Sequence, residues 1–210
     1  AKPADAKPAA PTTPVDKTAP PKPARSASEK LSSVSVLKIP REKPGEVIEI
    51  VTIGATSEQG GTRKSTITLG GQNCLPLHYF EGSIPNKPAY AIEVFDRVNE
   101  KMSPALREAW GDLVGKPAEM AHKAVAEYGA DAISVRLEGT HPEKGARSAD
   151  DALALVKDVL SAVDVPLIIT GHSHFDSTNE VMKKIAAGCA GERLLLNWVE
   201  SDNYRTIAGA

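Results

Sequence analysis

The chain has 210 residues, 41% of them hydrophobic and 25% charged, the composition of a globular protein with room for one domain core. A net charge of −2 gives no electrostatic case for nucleic acid, 4% aromatic content argues against a base-stacking surface, and no apolar run is long enough for a membrane-crossing helix. Two cysteines, Cys74 and Cys189, supply neither a four-thiolate cluster nor a disulfide framework, and the start lacks a signal peptide's apolar region, so the chain reads as cytoplasmic.

Residues 1–45 open the chain as a proline-, alanine- and lysine-rich segment. Its first 30 residues hold six basic and three acidic side chains, a charge of +3, against −5 for the remainder. That composition cannot bury enough apolar area to offset ordering entropy, so a disordered tail or linker is expected, with a docking tether as its other use. Residues 46–210 form the folded part. Val47 to Ile53 is rich in strand formers, and Ser65 to Leu69 alternates threonine with Ile67 and Leu69, which predicts a β-hairpin. Gly60 and Gly61 in its connection suit positive φ. A phosphate-binding loop is rejected, because Arg63 stands where glycine must precede Lys64-Ser65 and no helix follows.

Beyond the hairpin the period changes. Ala89 to Val94 reads as a strand, with Glu93 and Asp96 at its carboxyl end. Pro117 opens a helix with Met120, Ala121, Ala124, Val125 and Tyr128 on one face, and Gly129 stops it. Asp131 to Leu137 is the next strand. Ser148 with Asp151 caps a helix striped by Leu153, Val156, Leu160 and Val163, followed by a strand over Val165 to Thr170. Ser177 with Glu180 is expected to start a helix bearing Val181, Met182, Ile185 and Cys189, before a strand over Glu192 to Trp198 and a helix from Asp202. Strands alternating with helices predict a parallel sheet with right-handed crossovers. Four βα units are half of an eight-stranded barrel, which usually needs about 250 residues, so the chain looks cut; an open doubly wound sheet is the alternative.

Loop lengths point to the working end. Helix-to-strand joins are tight, whereas Glu138 to Arg147 connects strand to helix in ten residues, and α/β folds hold their sites at strand carboxyl ends. The glycine-marked block Gly54 to Asp96, dense in polar residues, is expected to decorate that face.

That block, with Gly54-Ala55-Thr56, Gly60-Gly61-Thr62-Arg63, Gly70-Gly71, Leu75-Pro76, His78, Phe80-Glu81-Gly82, Asn86, Pro88 and Glu93, resembles the delta subunit of acetyl-CoA decarbonylase/synthase, the small subunit of the corrinoid iron–sulfur protein. Ala126 to Asp131, Val165-Pro166-Leu167 and Asn203-Tyr204 follow in matching order, so the resemblance spans about residues 46 to 210. It implies a TIM (β/α)8 barrel, of which about the first four βα units are present behind the hairpin. It also implies a non-catalytic partner of the gamma subunit in the Wood–Ljungdahl system, with the iron–sulfur cluster held by that subunit. The pair would carry methyl groups on a shared corrinoid (cobalamin) from a methyltetrahydropterin, through a methyltransferase, to acetyl-CoA synthase. On this reading Glu93, Asp96, Arg136, Thr170, Gly171 and Asn197 form a corrinoid-facing rim, and Arg63, His78, Glu81 and Asn86 face the partner.

Each residue also has a plainer use. Arg63 could anchor the hairpin through Glu81 or backbone carbonyls, Glu93 could pair with Arg136, and Asn86 could stabilise a turn. His78 and Glu81 could instead be satisfied within the core. Gly171-His172-Ser173-His174 departs from the glycine-cysteine-glycine-like turn that the family implies. It resembles the terminal metal motif of binuclear metallophosphoesterases, but the earlier Asp-x-His and Gly-Asn-His signals of that fold are absent. His172 and His174 are therefore expected to bond locally in the loop. A pterin-binding barrel methyltransferase using Asp96 and Asn197 is the second functional reading, and a hydrolase using His172 and His174 the third.

Overall fold

A computed structural model describes residues 39–43, 45–98 and 101–209, so most of the expected tail lies outside the described residues. Two units divide at Pro40 and Arg41, and all that follows concerns the second. The expected hairpin forms from β1 (Val51–Ile53) and β2 (Ile67–Leu69), antiparallel, with Val51 opposite Leu69 and Ile53 opposite Ile67. Thr52 and Thr68 face each other across it, Oγ1 to Oγ1 at 3.2 Å. Ile48 exchanges further bonds with Gln72 and Gly71, at 2.9 and 2.8 Å. Gly60 adopts φ +88°, as expected; Gly61 does not need positive φ, but a Cβ there would stand 2.3 Å from the Ala55 carbonyl oxygen.

The second sheet is parallel, in the order β3 (Ala91–Phe95), β4 (Ala132–Arg136), β5 (Leu167–Thr170), β6 (Leu195–Asn197). Helices α2 (Pro117–Ala126), α3 (Ala149–Ala162) and α4 (Phe175–Gly188) make the crossovers. A short α1 (Pro104–Trp110) precedes them and α5 (Tyr204–Ala208) closes the chain. The pattern reading missed α1, although Ser103 caps it and Pro104 occupies its first turn.

Side chains alternate across a strand, and here the alternation separates two environments. Val94, Ile133, Val135, Leu167 and Ile169 are buried in one core cluster with Met120, Val156, Val159, Met182 and Ile185 of the helices. Truncating one of these to alanine would cost about 2–5 kcal/mol through lost transfer energy and residual cavity. The opposite face carries two registered rows: Glu93, Ser134, Ile168, Leu195, and Phe95, Arg136, Thr170, Asn197. All but Thr170 in these rows retain solvent exposure. The described residues form an α/β layer with a four-stranded parallel sheet and no barrel closure.

The position of the hairpin corrects an expectation. Its connection lies under the amino ends of β5 and β6, not at the working face. Gly54 N–H donates to the Arg193 carbonyl at 2.9 Å, and Lys64 N–H to that of Asp164, also at 2.9 Å. Between them Arg63, 5% exposed, donates to the carbonyls of Leu160 (2.8 Å), Val163 and Val165 and, through Nε, to Glu192 Oε2 at 3.2 Å. It thereby satisfies carbonyls that the carboxyl end of α3 leaves open. Its acidic partner is Glu192 and not Glu81.

Candidate functional site

At the opposite end, the carboxyl ends of β3–β6 gather most of the expected rim. Glu93 and Arg136 stand on adjacent strands and pair, Oε2 to Nη2 at 2.8 Å, both half-buried. Ser134 Oγ and Thr170 Oγ1 lie 3.1 Å apart across the next strand gap. These four side chains share the face that the helices leave bare. Gly171 lies behind it: a Cβ there would meet Thr178 Cγ2 at 2.5 Å, so the glycine lets α4 approach the end of β5.

Asp96 turns the other way. It accepts from Gly139 N–H with both oxygens (3.1 and 2.9 Å) and from Arg147 Nη1 at 2.8 Å, while Arg147 Nη2 donates to the Asp96 carbonyl at 3.2 Å. Burial raises its carboxyl pKa, opposed by the Gly139 N–H and the Arg147 charge. Asp96 is therefore a fastener between β3 and the long loop after β4. Arg147 was not among the expected site residues; its place in the long strand-to-helix loop was the available signal.

The histidines form a second fastener. His172 is buried, with Nε2 2.9 Å from Thr140 Oγ1 and Nδ1 3.2 Å from His174 N. Because His174 N–H can only donate, Nδ1 is the acceptor and Nε2 carries the proton. Thr140 Oγ1 in turn donates to the Leu137 carbonyl at 2.8 Å. Burial, then the neighbouring His141 and His174, lower the His172 pKa to about 4. His141 packs edge-on to both, with ring centroids 5.0 and 5.8 Å away. Both ring nitrogens of His172 are thus engaged within the chain. Among the described residues no three histidine, cysteine or acidic side chains are grouped to hold a metal. His174 caps α4 by accepting from Ser177 N–H at 3.4 Å, so the helix begins two residues before the expected Ser177.

Asn197 ends the row at β6. Its Oδ1 accepts from Trp198 N–H at 2.7 Å, and Trp198 adopts φ +73°, rare for a bulky residue. Buried Asn203 fixes this turn, donating to the Trp198 carbonyl at 3.2 Å and accepting from Glu200 N–H at 2.7 Å. The Trp198 indole Nε1 is buried without a hydrogen-bond partner among the described residues. The residues expected to face a partner lie elsewhere: His78 and Glu81 pair at 3.0 Å, and Asn86 Nδ2 donates to the Gly70 carbonyl at 2.9 Å, tying its segment to the end of the hairpin and not to a turn between its own flanking prolines.

The family profile described as CO dehydrogenase/acetyl-CoA synthase delta subunit matches residues 50–210. The chain belongs to this family. Among curated relatives named acetyl-CoA decarbonylase/synthase complex subunit delta, that of Archaeoglobus fulgidus is 36% identical over 200 residues, covering 89% of this chain and 44% of the relative. That of Methanothermobacter thermautotrophicus is 39% identical over 171 residues, 81% and 42%. That of Methanocaldococcus jannaschii is 31% identical over 196 residues, 88% and 48%. The chain therefore spans less than half the length of these delta subunits. Both the hairpin seat and the strand-end rim fall within the matched residues 50–210. No described helix is long and apolar enough to cross a membrane.

Proposed function

We propose that the chain is part of a delta subunit that pairs with the gamma subunit of the corrinoid iron–sulfur protein and helps enclose its corrinoid. In this role it supports methyl transfer between a methyltetrahydropterin-dependent methyltransferase and acetyl-CoA synthase, and its own part is architectural. The observation that carries this reading is the sheet face lined by Glu93, Arg136, Ser134 and Thr170. All-parallel sheets are ordinarily covered on both sides, and further βα units closing a TIM (β/α)8 barrel would cover this one. The polar row would then form the barrel's upper rim.

The residues present suit a corrinoid. Its periphery carries neutral amides, which need donors and acceptors and no net charge. Arg136, neutralised by Glu93, offers donors, and Asn197, exposed at the end of β6, offers an amide. A bound corrinoid would supply the cobalt that carries the methyl group. The chain's residues would orient its amides and exclude water from the methyl-bearing side. The pterin-methyltransferase alternative needs Asp96 free, but Gly139 and Arg147 hold that carboxylate.

The test uses the full-length chain. Mixed with the gamma subunit and hydroxocobalamin, it should raise corrinoid retention on gel filtration, and removing both Glu93 and Arg136 by alanine substitution should reduce that retention. Methylcobalamin formed from methyltetrahydrofolate and free cobalamin by the full-length chain alone would overturn the proposal in favour of a methyltransferase.

A further inference from the structure

The loop between the hairpin and β3 is built inside out. Its polar groups are tied within the loop or to the hairpin: Asn73 Oδ1 accepts from Ser83 N–H at 2.7 Å, His78 pairs with Glu81 at 3.0 Å, and Glu81 also accepts from Glu42 N–H at 3.3 Å. The His78 hydrogen bond, and after it the Glu42 N–H, hold the Glu81 carboxyl below its usual pKa. Two short turns, His78 N–H to the Leu75 carbonyl and Glu81 N–H to that of His78, stiffen the segment. The apolar side chains point outward instead. Leu77 is 81% exposed, Tyr79 64% and Leu75 63%, and Leu77 holds φ +69°, a strained conformation for a leucine. A rigid loop that presents leucine and tyrosine at a backbone cost marks a contact surface.

The hairpin extends this surface. Ile48 and Ile50 are more than half exposed, and Ile48 and Leu75 line one crevice of about 340 Å³. Glu42, Glu46 and Glu49 alternate with these apolar residues and are exposed; among the described residues no cation pairs with them. Exposed Arg41 and Lys43 flank Glu42, and Lys43 lines the same crevice, so the three carboxylates outnumber the cations of this segment and leave it net acidic, which favours an approaching positive charge. The loop leads to Tyr90, whose carbonyl bonds the amino end of β4, so the surface lies at the far end of the sheet from the strand-end rim.

We propose that this surface docks a protein subunit through an apolar cleft rimmed by lysine or arginine, separately from the cofactor end. The proposal rests on the reading of the chain as a complex subunit and names which face meets the partner. Leu75, Leu77 and Tyr79 fill the cleft, and Glu42, Glu46 and Glu49 meet its basic rim.

Three variants of the full-length chain test it: Leu77→Asp, the pair Glu46→Lys with Glu49→Lys, and Lys183→Ala on the exposed side of α4 as the control. Each is measured for thermal midpoint and for affinity to the gamma subunit at low and high salt. Leu77→Asp should bind at least tenfold more weakly with an unchanged midpoint, and the charge reversal should abolish the salt dependence of association. Lys183→Ala should leave binding of the gamma subunit unchanged. A lowered midpoint for Leu77→Asp would overturn the proposal, because the loop would then be covered by the chain's own further residues. Wild-type-like binding by the Leu77 and glutamate variants would overturn it too. Failure of the wild type itself to bind would overturn the subunit reading, and this proposal with it.

Discussion

Acidification should loosen the strand-end loops through His172. In the folded chain its pKa is about 4, against 6.5 for an unperturbed histidine. The unfolded chain therefore binds the proton more readily, and the stability that neutral His172 contributes is complete above pH 6.5 and lost as pH falls toward 4. At 1.36 kcal/mol per pKa unit the whole effect is about 3 kcal/mol, of which about 2 kcal/mol falls between pH 7 and pH 5. The cause is geometric: protonated Nδ1 would face the His174 N–H that it now accepts, in a buried site that also feels His141, His174 and Lys144, with only Glu138 favouring the charge. Urea unfolding of the wild type and of His172→Gln, at steps from pH 7 to pH 5, isolates the contribution. Carboxylates common to both, including Asp96 with its raised pKa and opposite sign, cancel in the comparison. The wild type should lose about 2 kcal/mol more than the variant across this range. Parallel profiles would refute the assignment of His172 as a neutral link between Thr140 and His174.

Arg63→Ala should destabilise the fold by about 3 kcal/mol, because it takes the cation from buried Glu192, leaving only the Thr62 hydrogen bonds, and strips donors from the end of α3; a urea midpoint equal to wild type would make Arg63 a bystander. The 210-residue chain on its own should self-associate through its bare sheet face and free strand edges, and a monodisperse monomer in sedimentation velocity would contradict this.

The elements were legible where a period or a cap wrote them locally. Pro117, Ser148 and the apolar stripe of α3 are short-range signals, and α2 and α3 formed where they pointed. Tyr128 fell outside its predicted buried face because α2 ends at Ala126. Pairing of Glu93 with Arg136 was foreseeable, since strand ends in adjacent βα units are neighbours. The place of the hairpin was not. Periodicity states that a hairpin forms but not which end of a distant sheet it packs under, and Arg63 and Glu192 are 129 residues apart. The expected barrel is likewise beyond local signals: the four described parallel strands form an open sheet.

That separation has a consequence during synthesis. At about 5–20 residues per second, the ribosome needs roughly ten seconds to make Glu192 after Arg63 has been added. Throughout that interval the guanidinium lacks its counter-ion, and the amino-terminal ribbon has no floor to rest on. Nascent chains should therefore keep this ribbon protease-sensitive until β6 has emerged, then protect it in a single late step.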